Sequence, residues 1–233
     1  MSNAATGRVA AIIPAAGIGA RLGADQPKAF IELEGISLLT RSALAMSLVA
    51  DLIVVAAPGD SLDLASSQLT EVDAEIHIVA GGSERQDSIS NALKILPEDI
   101  SIVLVHDAAR PLVPIEVTER VVTELRNGAS AVIPVLPIAD TIKRVDARSK
   151  VIETVDRNQL RRVQTPQGFT REILTQAYAD PTVIATDDAG LMEALGIPVQ
   201  TVAGDELAMK ITTTHDLKIA TALLETNFSR SQQ

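Results

Sequence analysis

Short, uninterrupted apolar runs alternate with helix-patterned segments along almost the whole chain, and this rhythm constrains the fold more than any other feature. Val9–Pro14, Leu52–Ala57, Glu75–Val79, Ile102–His106, Ala131–Val135 and Val199–Val202 read as strands. Their apolar residues are consecutive rather than alternating, the pattern of strands covered on both faces. Between them, helical spacing predicts helices near Ser37–Val49, Ser61–Leu69, Ser83–Leu96, Ile115–Asn127, Arg171–Ala179, Asp187–Leu195 and His215–Glu225. The expected fold class is therefore α/β, a doubly wound, mostly parallel sheet with helices on both faces.

One stretch interrupts the rhythm. Residues 137–162 are densely charged, with Asp140, Lys143, Arg144, Asp146, Arg148, Lys150, Glu153, Asp156 and Arg157. Within it, Thr141–Val145 and Val151–Val155 alternate like two hairpin strands around an Asp146–Lys150 turn. A polar hairpin has no core of its own and needs another surface, such as a second subunit. No repeat or linker is visible, so one domain is expected over residues 8–228, with residues 137–162 as an inserted β-arm. Met1 to Gly7 are set aside, because Ser2-Asn3-Ala4 reads as a cloning scar.

Hydrophobic residues make up 46% of the chain but aromatics only 2%, so the core must be aliphatic. So few aromatics argue against a stacking platform for single-stranded nucleic acid. The net charge is −10, from 20 basic and 30 acidic residues, which repels nucleic acid and anionic membrane. Anionic substrates would require a few Lys and Arg side chains to reverse the field locally. The absence of cysteine excludes thiol catalysis, Cys-ligated zinc and disulfides. Val9 to Ala16 is too short to span a bilayer and lacks a basic flank, so a cytoplasmic location is the default expectation.

The first strand runs into Pro14-Ala15-Ala16-Gly17-Ile18-Gly19-Ala20-Arg21, followed by Gly23 and Pro27-Lys28. Small residues let backbone amides approach phosphates, and Arg21 and Lys28 add positive charge at the carboxyl end of a strand, where open α/β sheets bind ligands. The string is no P-loop, which needs GxxxxGK[ST]. The Gly19-to-Gly23 spacing also departs from the dinucleotide fingerprint GxGxxG. A glycine pair alone would suit an ordinary loop equally well; Arg21 and Pro27-Lys28 favour phosphate.

PAAGxGxRL…PKAF (from Pro14), GGSERQDS (Gly81–Ser88), VHDAARP (Val105–Pro111), DTIKRV (Asp140–Val145), VDR (Val155–Arg157), QTPQGF (Gln164–Phe169), TDDA (Thr186–Ala189) and KITT (Lys210–Thr213) follow in order. Together they resemble the methylerythritol-phosphate cytidylyltransferases, over about Val9 to Leu224. The resemblance implies a Rossmann-like nucleotidyltransferase fold with a projecting β-hairpin arm, CTP and a polyol phosphate as substrates, Mg²⁺ or another divalent cation, and a homodimer joined through the arms. Two local departures are Ala208-Met209, where the family often has Asn-Ile, and Ala29, where PKQF is commoner. The nearest rival is a ribitol-5-phosphate cytidylyltransferase, which shares the early motifs. A rival of another class is a dinucleotide-binding oxidoreductase.

In the implied reaction a phosphate monoester attacks the α-phosphorus of CTP and releases pyrophosphate. The monoester's second pKa is about 6, so the nucleophile is largely a dianion at neutral pH and needs no general base. Arg21, Lys28 and Lys210 are the candidate catalytic residues, stabilising charge on the transferring phosphate. Pro14, Ala15, Ala16, Gly17, Gly19, Gly82, Ser83, Ser88 and Asp107 are the candidate nucleotide contacts. Ser83 with Gln86 also fits a helix capping box. Asp107 is the candidate Mg²⁺ ligand; the alternative is a turn cap paired with Arg110. The resemblance implies that Thr141, Arg157 and Lys210 hold the polyol phosphate, Thr141 and Arg157 from the neighbouring subunit. Asp187-Asp188 behind Thr186 is read as helix capping rather than a metal site. His106 is read as structural, and His77 and His215 carry no role.

Overall fold

A computed structural model describes residues 7–17, 27–180, 183 and 185–230. The elements run β1 (Arg8–Pro14), β2 (Glu32–Leu33), β3 (Ile36–Ser37), α1 (Leu38–Ser47), β4 (Leu52–Ala57), α2 (Leu62–Gln68), β5 (Glu75–Ala80), α3 (Arg85–Leu93), β6 (Ile100–Val105) and α4 (Ile115–Arg126). Then follow β7 (Ala131–Pro137), β8 (Ile142–Val145), β9 (Val151–Val155), β10 (Arg161–Val163), β11 (Gln167–Thr170), α5 (Arg171–Ala177), α6 (Asp188–Ala194), β12 (Gln200–Ala203) and α7 (Thr214–Arg230).

The main sheet has the order β10-β7-β11-β6-β1-β4-β5, with β12 also on β7. β1 runs parallel to β4 and β6, β4 to β5, and β12 to β7. The consecutive apolar runs are explained by two-sided burial. Along β1, Ala11 and Ile13 face one core with Leu39, Ala43, Val117 and Val121, whereas Ala10 and Ile12 face another with Ile89, Ala92, Leu174 and Met192. Each such Ile contributes about 1.5–3 kcal/mol of apolar burial.

β10 and β11 are additions to the sequence reading. Both run antiparallel, β10 on β7 and β11 between β6 and β7. β11 is Gln-Gly-Phe-Thr and has no apolar run to betray it. Its place is set by Phe169, fully buried, and by Gly168, where a Cβ would lie 2.4 Å from Val121 Cγ1. Helix α4 thus packs directly on the strand's backbone.

The arm is a separate two-stranded sheet of β8 and β9. Its turn is closed by the Asp146 carboxylate, which accepts N–H bonds from Arg148 and Lys150, both at 2.9 Å. Val145, Val151 and Ile152 are 50–60% exposed, so the hairpin buries little within its own chain.

Two caps differ from the sequence reading. The box on α3 is shifted by one residue: Asp87, not Gln86, accepts from the Glu84 N–H at 3.1 Å, and the Ser83 hydroxyl donates to Asp87 at 2.8 Å. A carboxylate is the stronger acceptor for these donors. On α6 the cap is Asp187, which accepts from the Gly190 N–H at 3.0 Å, rather than Thr186. Asp188 faces inward and is wholly buried.

Candidate active site

Parallel strands bring their carboxyl ends to one edge of the sheet, and there the loop after β1, the amino end of α3, the turn after β6 and the segment before α7 converge. They line a cleft of about 360 Å³. Of the sequence candidates, Pro14, Ala15, Ala16, Gly17, Lys28, Gly82, Ser83, Ser88, Asp107 and Lys210 all line it. Gly19 and Arg21 lie outside the described residues. Thr141 and Arg157 are exposed on or beside the arm and are not among the lining residues; the Arg157 guanidinium donates to the Ala139 carbonyl.

The walls come close because their residues are small. A Cβ on Gly81 would stand 2.6 Å from Ala16 Cβ and 2.9 Å from Ser88 Oγ, so only glycine lets the two loops meet. Ser88 is buried: its hydroxyl donates to the Glu84 carbonyl and accepts from the Gly82 N–H, both at 3.1 Å. With its one proton committed, Ser88 holds the Gly82 backbone in place.

Asp107 is the electrostatic centre. Its Oδ2 is 2.9 Å from Lys210 Nζ and 3.7 Å from Arg110 Nε, and its Oδ1 is 3.5 Å from Arg85 Nε. Burial alone would raise the carboxyl's pKa, but Arg85, Lys210 and Arg110 outweigh it and hold the group well below its ordinary range. Pairing with Arg110 is therefore real but the longest of the set. The contact with Lys210 joins two candidates that the sequence reading had assigned to different tasks. Lys28, Arg85 and Lys210 make the cleft locally cationic in a chain of net charge −10.

The backbone of Asp107 is also fixed. Its N–H donates to Thr165 Oγ1 at 3.1 Å, leaving the Thr165 hydroxyl to donate to His106 Nδ1 at 3.1 Å. The proton of His106 then belongs on Nε2, donating to the Arg110 carbonyl at 3.2 Å. Burial of the wholly enclosed ring lowers its pKa to about 4, so it is neutral at pH 7. His106 is thus packed and hydrogen-bonded through both ring nitrogens.

Lys210 is held from both sides. Arg110 Nη1 donates to the Ala208 carbonyl at 2.7 Å. Buried Gln164 donates to the Asp205 carbonyl at 2.7 Å and accepts from the Asp205 N–H at 3.0 Å. Beyond Lys210, Asp216 accepts from the N–H groups of Thr212 and Thr213, each at 2.8 Å, and from the Thr212 hydroxyl at 2.7 Å. These bonds, the Thr212 hydroxyl foremost, lower the Asp216 pKa to about 2.

Sequence reasoning gave no role to Arg85 or Thr212, which also line the cleft. Arg85 could have been noticed as a cation three residues after Gly82, at the helix amino end that faces the ligand edge. The contacts of Thr165 and Gln164 are long-range, and the chain alone carries no sign of them.

A mostly parallel α/β sheet with a small-residue loop, a helix amino end and an Asp–Lys pair around one cationic cleft is suited to a nucleotide's phosphates, and the proteins this chain resembles are nucleotidyltransferases. The family model for 2-C-methyl-D-erythritol 4-phosphate cytidylyltransferase (IspD) matches residues 9–226. The enzyme of that name from Rhodococcus jostii (strain RHA1) is 51% identical over 221 residues, covering 94% of this chain and 96% of its own. That from Frankia casuarinae is 49% identical over 222 residues, covering 94% and 82%. Among solved structures, 4-diphosphocytidyl-2C-methyl-D-erythritol synthase from Anaerococcus prevotii superposes with a TM-score of 0.81 at 30% identity, over 94% of this chain and 99% of that one. The cytidylyltransferase from Thermus thermophilus gives 0.78 at 36% identity, over 93% and 98%. The chain belongs to the 2-C-methyl-D-erythritol 4-phosphate cytidylyltransferase family. That membership removes the oxidoreductase alternative.

Proposed function

We propose that this chain transfers CMP from CTP to 2-C-methyl-D-erythritol 4-phosphate, giving 4-diphosphocytidyl-2-C-methyl-D-erythritol and pyrophosphate in isoprenoid precursor biosynthesis. The observation that carries the reading is the convergence of Lys28, Asp107 and Lys210 on a cleft whose floor is the small-residue loop after β1. Both substrates are water-soluble anions, and the reading places the reaction in the cytoplasm.

In this reading the backbone amides of Ala16 and Gly17 face the triphosphate, since Pro14 has no N–H and that of Ala15 is donated to the Ala56 carbonyl at 2.8 Å, and the Gly82 segment faces the nucleobase and ribose. An oxygen of the substrate's phosphate attacks the α-phosphorus of CTP, a new P–O bond forms, and the bond to the β-phosphate oxygen breaks. Lys28 and Arg21 offset the charge that collects on the α-phosphate; one such donor is worth about 3–4 kcal/mol in a preorganised site. Lys210 is the cation of the cleft assigned to the attacking phosphate. No side chain needs to remove a proton, which agrees with the buried, neutral state of His106.

A divalent cation fits the donor set in one way. Among the described residues no group of three or more His, Asp or Glu could hold a metal alone. Of the two carboxylates that line the cleft, Glu84 and Asp107, the buried Asp107 suits Mg²⁺ shared with the triphosphate and water. There the ion would neutralise phosphate charge and fix the triphosphate's conformation.

The arm completes the proposal. Thr141 and Arg157 stand away from the cleft of their own chain, and exposed Val145, Val151 and Ile152 offer an apolar surface to a second copy. In a homodimer each arm would deliver Thr141 and Arg157 to the neighbour's substrate phosphate, where the planar Arg157 fork can donate two hydrogen bonds.

The deciding experiment is pyrophosphate release with Mg²⁺ and CTP, offering methylerythritol 4-phosphate and ribitol 5-phosphate in parallel. Release with methylerythritol phosphate alone is expected. A preference for ribitol phosphate would move the enzyme to another pathway, and release with neither would overturn the reading.

A further inference from the structure

Behind the cleft lies an ionic group that the reaction does not use directly. Asp188, wholly buried at the start of α6, accepts from Arg85 Nη2 at 2.7 Å and from the Tyr178 hydroxyl at 2.5 Å. Arg85 therefore bridges two carboxylates unequally, in contact with Asp188 but 3.5 Å from Asp107. Burial alone would lower the guanidinium's pKa; the charges of Asp188 and Asp107 more than reverse this, so it is charged throughout. Burial, reinforced by the Asp188 charge, raises the Tyr178 pKa, so its hydroxyl keeps the proton it donates.

The tether itself is anchored. Gln167 donates to Asp187 at 2.8 Å and accepts from the Ala189 N–H at 3.0 Å, fixing the start of α6 to β11. Gln86 donates to the Val183 carbonyl at 3.2 Å, tying the same region to α3. Among the described residues Asp188 has one ion-pair partner, Arg85, and a buried carboxylate so placed is costly unless that partner stays in place. Asp188 and Arg85 are thus bound to each other more strongly than Arg85 is bound to Asp107.

We propose that Asp188 and Tyr178 are positioning residues that keep Arg85 at 3.5 Å from Asp107 Oδ1, leaving that oxygen, the one Lys210 does not contact, available to the metal–triphosphate complex. This rests on the reading of the cleft as a CTP site. The same tether fixes Arg85 at the cleft wall, where it adds positive charge and its pairing with Asp107 stays the longer of its two. Without the Asp188 charge, Asp107 becomes the nearest carboxylate for Arg85. The guanidinium then shortens its 3.5 Å ion pair with Oδ1 and competes with the cation for that oxygen.

The test is calorimetric titration of CTP into the unmodified chain and into Asp188→Asn, Tyr178→Phe, Arg85→Gln and the Asp188→Asn/Arg85→Gln double variant. Each titration is run with Mg²⁺ and with EDTA, and thermal melting is recorded alongside. Asp188→Asn is expected to weaken CTP binding about tenfold with Mg²⁺, the scale of one lost charge-assisted interaction, and to change it less than about twofold in EDTA. The double variant is expected to bind no more weakly than Arg85→Gln, because Asp188 acts through Arg85. A lower melting temperature with unchanged Mg²⁺-dependent affinity, or losses that add in the double variant, would overturn the tether. Should Asp188→Asn not fold, Tyr178→Phe keeps both charges; a two- to threefold Mg²⁺-dependent loss is expected, and none would overturn the proposal. An unmodified chain that binds no CTP would overturn the cleft reading on which it depends.

Discussion

Lys210 Nζ lies 2.9 Å from Asp107 Oδ2, so the segment before the last helix is ion-paired to the turn after β6 across the cleft. Two groups about a hundred positions apart in the chain thereby share one charge balance. Lys210 is 44% exposed, so the pair adds little to stability, and the role proposed for it is to present charge to an anion. Lys210→Gln is expected to lower kcat/KM for the polyol phosphate at least about a hundredfold, as loss of one oxyanion donor does, with a melting temperature shift of only a few degrees. Steady-state kinetics at saturating CTP would check this. A change of less than threefold would remove Lys210 from the machinery.

The position of Lys210 depends on Asp216, which accepts three hydrogen bonds at the start of α7. Asp216→Ala is expected to cost about 1 kcal/mol of stability, the usual worth of a helix cap. Activity should fall further than that loss explains, because the lysine's segment loosens. Urea unfolding beside kinetics at low temperature would separate the two effects. A variant with lower stability and unchanged kcat/KM would limit Asp216 to capping.

The parallel framework was legible because two-sided burial writes itself as consecutive apolar residues, as in Leu52–Ala57, where every residue is buried. Gly81 and Gly82 were legible because a side chain at either would obstruct, a Cβ meeting Ala16 at 2.6 Å and Asp87 at 2.1 Å, whereas Gly17 has open space around it and stood out only through its small-residue string. β11 was not, since Gln167 and Gly168 are buried by their neighbours rather than by their own apolarity. The Arg85–Asp188 pair joins positions 103 apart in sequence, and no local spacing announces it. Asp188 accordingly read as a helix-dipole residue, although its carboxylate faces inward.

His106 gives a pH dependence of definite sign. Its pKa is about 4 in the folded chain and 6.5 when unfolded, so between these values the unfolded state binds more protons. Stability therefore falls as pH drops through this window, by about 2 kcal/mol between pH 7 and pH 5. Urea denaturation at the two pH values should show this loss, and His106→Asn should show less of it. At pH 7.5 the folded variants of His77, His106 and His215 are each expected to keep kcat within about tenfold, because the dianionic nucleophile needs no base. A thousandfold fall in any of them would replace this mechanism with one using a histidine base.

The arm gives the most discriminating prediction about assembly. Thr141 and Arg157 are exposed and do not line the cleft that contains Lys28 of the same chain. If each arm serves the neighbouring subunit, a chain carrying Arg157→Ala and a chain carrying Lys28→Ala should each be nearly inactive alone. In a mixed dimer, one site receives an intact arm on an intact cleft, and the other receives neither. Co-refolding equal amounts should therefore restore about a quarter of wild-type activity, since half the dimers are mixed and each holds one good site. If the exposed apolar residues of the arm seat on a second copy, Val151→Asp with Ile152→Asp should weaken that dimer by placing charge in the contact, which sedimentation would register as a shift to monomer. No restoration in mixtures whose subunits demonstrably exchange would return Thr141 and Arg157 to their own chain, and the arm would then have to bend to reach its own cleft.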